Sequence, residues 1–285
     1  MKKIALIFNR YYLGEGQAYV KNRLTECLSK KNIQIIEDNF FASSGEEDFL
    51  EQIEAVIFWN KDVVLARHFE NNGIKVFNCS KAIELCDCKI KTYQHITSFN
   101  IPLISTIFAP LSFTKQSKPD KDFLDFVESK LGFPLIAKLS VSSLGKGVFL
   151  LEDRQQLDDF FVEHSLYAHM YQKCIKPVGT DYRVYTIGAK AVVAVERKNE
   201  KSFISNIELG GVARIVDLDE ELIELSQKIA TALKLDYGAI DFLKDSSGKY
   251  YFLEANSNAY FRAVEGLGVN IAEPLVEYIC KKIMI

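Results

Sequence analysis

No CxxC pair, no zinc-ligand rhythm of cysteine and histidine, and neither a GxGxxG nor a GxxxxGK[ST] motif occurs in this chain. These absences exclude a zinc module, a thioredoxin-like redox pair, a Rossmann dinucleotide site and a Walker A loop. The six cysteines (Cys27, Cys79, Cys86, Cys88, Cys174 and Cys280) are scattered, and the spacing of Cys86 and Cys88 does not suit a metal clip. Reduced thiols in a cytoplasmic protein are the expectation. Four histidines stand apart and complete no Ser/His/Asp or Cys/His set. Charge of one sign is also missing: 35 basic against 38 acidic residues leave a net charge of −3, which offers no field for nucleic acid. The apolar run at 4–8 is too short for a secretory core and far too short to span a bilayer, so it reads as a buried first strand and no membrane role is expected.

What is present has the rhythm of an α/β protein. Short apolar runs at 3–9, 33–36, 55–59 and 74–77 alternate with helical spacing, notably over 17–31 (Val20, Leu24, Cys27, Leu28). That pattern predicts a parallel sheet covered on both faces for residues 1–86. Gly14 and Gly16 flank Glu15 between the first strand and helix; a plain loop is preferred to a phosphate turn because the spacing is not GxGxxG. Ser80 is expected to cap a helix over 81–85. From Lys89 the pattern becomes mixed. Helices are predicted over 89–99, 123–131 (stopped by Gly132), 157–164, 220–233 and 271–283. Strands are predicted at 135–139 and 148–151, with hairpins over 181–195 and 239–255.

Two segments carry the chemistry. In PLIAKLSVSSLGKG (134–147), Lys138 sits near the end of a buried strand, where its charge needs a partner. The serine–glycine loop beside it offers N–H groups for phosphate, although a flexible hairpin turn fits the same residues. In YYFLEANSNAYFR (250–262), a strand that begins by burying its face ends in Glu254 and Asn256. Antiparallel pairing across the 245–248 turn can bring Asp241 beside Glu254. Two carboxylates so close repel unless a cation lies between them, and Asp, Glu and Asn offer the hard oxygens that suit Mg²⁺. A solvated strand end is the alternative.

Taken in order, CKIKTYQHITSFNIPLIST (88–106), FPLIAKLSVSSLGKGVFLL (133–151), YQKCIKPVGTDYRVYTIGAKAVVAVER (171–197), SNIELGG (205–211), YGAIDF (237–242) and FLEANSNAYFRAVEGLGVNIAE (252–273) resemble the ATP-grasp superfamily, and within it the RimK-like carboxylate–amine ligases. The resemblance implies a pre-ATP-grasp α/β domain at 1–86 and a two-part α+β ATP-grasp fold at 87–285, with a lid at about 115–172 and a catalytic part at about 173–285. It implies ATP and Mg²⁺ (or Mn²⁺) as cofactors and an amide bond formed through an acyl phosphate. Carried over by position, Lys89 and Lys138 contact the nucleotide, and Ser143, Gly145, Lys146 and Gly147 form the phosphate lid. Gln172, Lys173, Cys174 and Ile175 form the adenine linker, with Asp181 near the nucleotide. Arg183, Arg197 and Asn206 stand by the phosphates or substrate, and Asp241, Glu254 and Asn256 bind metal.

The implied partners are an amino-acid or other carboxylate and an amine acceptor (peptide, carrier protein or small molecule); a homo-oligomer is compatible. A regulatory, non-catalytic nucleotide-binding protein is the alternative. The chain departs from the family at Cys88, Lys173, Glu208 and Leu209, and at 258–262, which replaces a Ser-Pro-Gly turn and leaves the acceptor open. Arg262, following Tyr260 and Phe261, is expected to grip a substrate carboxylate; a surface pair with Glu265 is the alternative.

Overall fold

The computed structural model describes residues 3–11, 14–31, 34–37, 50–51, 53–143 and 145–283. Strands β1 (Lys3–Phe8), β2 (Gln34–Glu37), β3 (Ala55–Trp59) and β4 (Lys75–Phe77) form a parallel sheet in the order β2-β1-β3-β4. Alternation along β1 sorts its side chains. Ile4, Leu6 and Phe8 join Val20, Leu24 and Leu28 of the helix Glu15–Ser29, whereas Ala5 and Ile7 meet Ala66 and Phe69 of the helix Val63–Asn71. Every β1 position after Lys3 is therefore apolar because both faces are covered.

Two antiparallel sheets follow. One runs β11-β10-β9-β12-β13, from β9 (Thr180–Ile187), β10 (Lys190–Lys198), β11 (Val212–Val216), β12 (Tyr237–Lys244) and β13 (Tyr250–Asn256). The other runs β5-β8-β6-β7, from β5 (Thr106–Phe108), β6 (Leu135–Leu139), β7 (Val148–Leu151) and β8 (His169–Lys173). The helices Lys121–Leu131 and Arg154–His164 cover the latter; their caps are Asp120 and Asp153, whose carboxylates accept from Phe123 and Gln156 N–H. The parallel sheet shares a core with the five-stranded sheet: Trp59 packs on Tyr237 at 5.0 Å and on Phe261 at 5.8 Å between ring centres. Among the described residues no helix is long and apolar enough to cross a membrane.

Ser80 does not cap a helix. It opens the helix Ser80–Cys86, and its N–H and hydroxyl both donate to the Glu70 carboxylate. The helix predicted over 89–99 is an α-helix only for Lys89–Ile96 and tightens to a 3₁₀ turn at Thr97–Phe99.

Candidate active site

The five-stranded and four-stranded sheets face each other across a cleft, and strand register decides which side chains meet in it. Asp241 on β12 lies opposite Glu254 on β13 and opposite Arg183 on β9. Arg197 on β10 lies opposite Asp181 on β9. Because Asp181 and Arg183 are two residues apart on one strand, all of these groups share a face. Arg183 donates Nε and Nη2 to the two carboxylate oxygens of Asp241, each at 2.7 Å, and Arg197 Nη2 adds a third bond at 2.9 Å. Arg197 also forks onto Asp181 at 2.6 Å through both nitrogens, and Ser205 donates its hydroxyl to the same carboxylate.

Two guanidiniums thus balance two buried carboxylates. This corrects the expectation that only a bound cation offsets the charge of Asp241 beside Glu254. Burial alone raises the Asp241 pKa, but Arg183 and Arg197 overcome it and hold the carboxyl at about 2. Three of the four lone-pair sites of this carboxylate are used, leaving one on Oδ1. Glu254 is half-buried and, among the described residues, accepts only a 3.3 Å contact from Asn256 Nδ2. One free position on Asp241, the Glu254 carboxylate and the Asn256 carbonyl form an all-oxygen donor set, which fits a hard divalent cation.

Across the cleft stands Lys138. It is 4% exposed on β6 and has no hydrogen-bond or ion-pair partner among the described residues. Burial pushes its pKa from 10.5 down to about 8; Glu254 opposes the shift and Lys89 adds to it. A buried ammonium without a partner is a cost the fold carries. Its neighbour Lys89 is held differently, donating Nζ to the Ser142 carbonyl at 2.7 Å and to the Ser142 hydroxyl at 3.2 Å.

The loop that supplies Ser142 is tightly built. Gly145 has φ +76°, and a Cβ at Gly147 would lie 2.6 Å from the Ser142 side chain. Gly147→Ala is therefore expected to displace Ser142 from Lys89, costing about 1–3 kcal/mol as overpacking. Thermal unfolding and nucleotide affinity, measured on the same variant, check both effects.

The cleft brings together Lys89, Lys138, Ser143 and Gly145 with the 172–175 segment. Asp181, Arg197, Asn206, Asp241 and Glu254 line the same cleft. Lys146 is exposed and Gly147 buried; neither lines it. Gln172 donates to Thr106 Oγ1 at 2.9 Å, while its own Oε1 is buried with no partner among the described residues. Ile104, Ile136, Leu243 and Leu253 add an apolar lining that sequence motifs did not mark.

A second, larger chamber of about 740 Å³ adjoins the cleft. Arg183, Asn256 and Arg262 face it, and Ser143, Arg197, Asn206 and Glu254 line both hollows. Its far wall comes from the parallel sheet: Asn9 follows β1, and Trp59, Asn60 and Lys61 end β3. Sequence reasoning missed these residues, although the carboxyl ends of parallel strands are where ligands of open α/β sheets bind. Arg262 does not pair with Glu265. That carboxylate takes Tyr19 and Arg23 at 2.7 and 2.9 Å, and Arg262 pairs with Glu15.

Residues 89–279 match the family described as RimK-like ATP-grasp domain. A probable alpha-L-glutamate ligase of Serratia proteamaculans is 33% identical over 230 residues, covering 79% of this chain and 73% of that protein. Human beta-citrylglutamate synthase B is 29% identical over 226 residues, covering 77% of this chain; the chain spans 56% of that synthase's length. The structure of a D-alanine–D-alanine ligase from Bacillus anthracis, solved with ATP, shares the fold. Its TM-score is 0.75 over 100% of this chain and 98% of that one, at 15% identity.

Proposed function

The chain belongs to the RimK-like ATP-grasp family of ATP-dependent carbon–nitrogen ligases, and from that premise we propose that it joins a carboxylate to the amino group of an amino acid such as glutamate. The observation that carries this reading is the shared wall of the two hollows. Ser143, Arg197, Asn206 and Glu254 stand where a nucleotide in the cleft and a carboxylate in the chamber would meet. Relatives named for glutamate-containing products support glutamate as the amine, with a protein, a peptide or a small molecule supplying the acid.

In this reading a carboxylate oxygen of the acid attacks the γ-phosphorus of ATP, the bond to the β,γ-bridging oxygen breaks, and ADP leaves. The amine nitrogen then attacks the acyl carbon, loses a proton, and inorganic phosphate departs with the former carboxylate oxygen. The chain's part is positioning and charge. Lys138 and Lys89 place ammonium groups in the cleft, and Lys138 gains in phosphate the partner it lacks. Arg183 and Arg197, clamped by Asp241 and Asp181, hold fixed N–H dipoles between cleft and chamber, where charge moves from the phosphoryl group to the acyl oxygen. A divalent cation, Mg²⁺ or in its place Mn²⁺, held by Asp241, Glu254 and Asn256 would neutralise phosphate oxygens. Asn9, Glu15, Trp59, Asn60 and Lys61 of the first domain supply the outer wall of the chamber, and the lid at about 115–172 covers the cleft.

The test is a screen for phosphate release from MgATP. L-glutamate is offered with candidate acids and peptides, and products are weighed by mass spectrometry. An adduct of glutamate and acid, less one water, is expected. Phosphate release with no condensed product from any pair would overturn the proposal.

A further inference from the structure

Glu15 and Gly16, which open the helix Glu15–Ser29, lie far from Arg262 in sequence, and all three line the chamber. A Cβ on Gly16 would sit 3.0 Å from the Tyr260 ring. The absence of that Cβ lets the start of the first helix lie against the 260–262 segment, which sets Glu15 beside Arg262. The two side chains form an ion pair at the solvent side of the chamber, 85% and 55% exposed respectively. Among the described residues, only Nη1 of Arg262 is engaged, by one oxygen of Glu15. The rest of the guanidinium fork is unused.

The chamber's charge is lopsided. Lys61, Arg183, Arg197 and Arg262 face two acids, Glu15 and Glu254. Arg183 and Arg197 are committed to buried aspartates, and Lys61 pairs with Asp87. Among the described residues Arg262 is held only by an exposed, single-point contact. The chamber wall also holds an unsatisfied polar group. Trp59, 4% exposed in the chamber wall and packed on Phe261, has a buried indole N–H with no partner among the described residues. A buried donor without an acceptor is rare enough to call for one.

We propose that the outer end of the chamber binds the side-chain carboxylate of an acidic amino-acid substrate, that Arg262 anchors it, and that Glu15 occupies the anchor in its absence. The inference rests on the ligase reading above and adds to it the residue that selects an acidic amino acid. A substrate carboxylate can engage two N–H groups of Arg262 where Glu15 engages one, so it displaces Glu15. Holding the substrate by its carboxylate leaves the amine free to attack.

The experiment is calorimetric titration of L-glutamate into protein saturated with MgADP, for wild type, Glu15→Gln and Arg262→Ala. Both side chains are exposed, so thermal unfolding serves only as a control for folding. Glu15→Gln is expected to tighten L-glutamate binding roughly two- to fivefold, since an exposed pair of this kind no longer competes. Arg262→Ala is expected to weaken it roughly 10- to 100-fold, the loss of a charge-assisted contact, with MgADP affinity unchanged in both.

Unchanged or weaker binding by Glu15→Gln overturns the inference, since Glu15 would then be neutral or itself a ligand of the substrate. So does wild-type affinity in Arg262→Ala, or L-glutamate binding by none of the three. If the variants bind L-glutamate normally while wild type condenses it in the product screen, this inference fails and the ligase reading stands. If the affinities move as stated but no condensed product forms, the ligase reading fails and the anchor stands.

Discussion

Lys138→Met is expected to make the ligand-free protein more stable and a poorer binder of ATP. The two effects have one cause: an ammonium buried on β6 without a partner, its pKa lowered by burial from 10.5 to about 8. Below pH 8 the folded and unfolded chains both carry the proton, and the fold bears the full cost of burying the charge. Between about 8 and 10.5 the unfolded chain binds more proton than the folded one, so this group's contribution to stability rises with pH. Above that window the cost is gone. A shift of this size corresponds to about 3 kcal/mol, so Lys138→Met should gain up to about that much near pH 7 and nothing near pH 10.5. Denaturant titrations of both proteins at several pH values give the difference directly. A gain that does not shrink as pH rises would mean that better packing, and not the buried charge, is responsible. The affinity for ATP should fall by roughly one to four powers of ten, as expected when one partner of a desolvated charge pair is removed.

Asp241→Asn is the second large effect, and the geometry changes what it should do. Asp241 neutralises two guanidiniums as well as offering an oxygen to metal. The substitution leaves Arg183 and Arg197 facing a single buried carboxylate, Asp181. Breaking a buried charge network in this way costs about 3–5 kcal/mol, so the variant should unfold at lower temperature as well as lose turnover. The loss of turnover should be at least about 10²–10³-fold, the scale for removing one group from a preorganised electrostatic site. The stability loss should lessen as pH falls from 3.8, the ordinary carboxylate value, to about 2: the folded pKa is depressed, so over that window the unfolded chain takes up the proton first, and the contribution, complete above it, is gone below it. Full stability with lost activity would assign Asp241 to metal alone.

The hairpin that carries Asp241 and Glu254 is legible in the sequence because strand alternation and a short polar turn fix its register. Asp241 and Glu254 do lie opposite each other. The arginine clamp is not legible in the same way. The Arg197–Asp181 fork lies within the β9–β10 hairpin, but the clamp on Asp241 depends on β9 pairing with β12, which joins Arg183 to a residue 58 positions away, and nothing local to Arg183 announces it. β8 (His169–Lys173) escaped as a strand because its run, HMYQK, interrupts apolar residues with His169 and Gln172, which the sheet satisfies through Tyr171 and Thr106. The parallel sheet was clear from its apolar runs. That its ends wall the substrate chamber was not, since Asn9, Asn60 and Lys61 read as ordinary loop residues until the second sheet is placed against them.

The central claim is that a substrate carboxylate takes the phosphoryl group where the cleft meets the chamber. It is tested most directly with oxygen isotopes. An acid that supports product formation is supplied with ¹⁸O in both carboxylate oxygens, with MgATP and amine, and the released phosphate is weighed. Transfer through an acyl phosphate sends one labelled oxygen into inorganic phosphate and leaves the other in the amide. Unlabelled phosphate accompanying a condensed product would contradict the account, because the carboxylate would then have been activated without ever bonding to phosphorus.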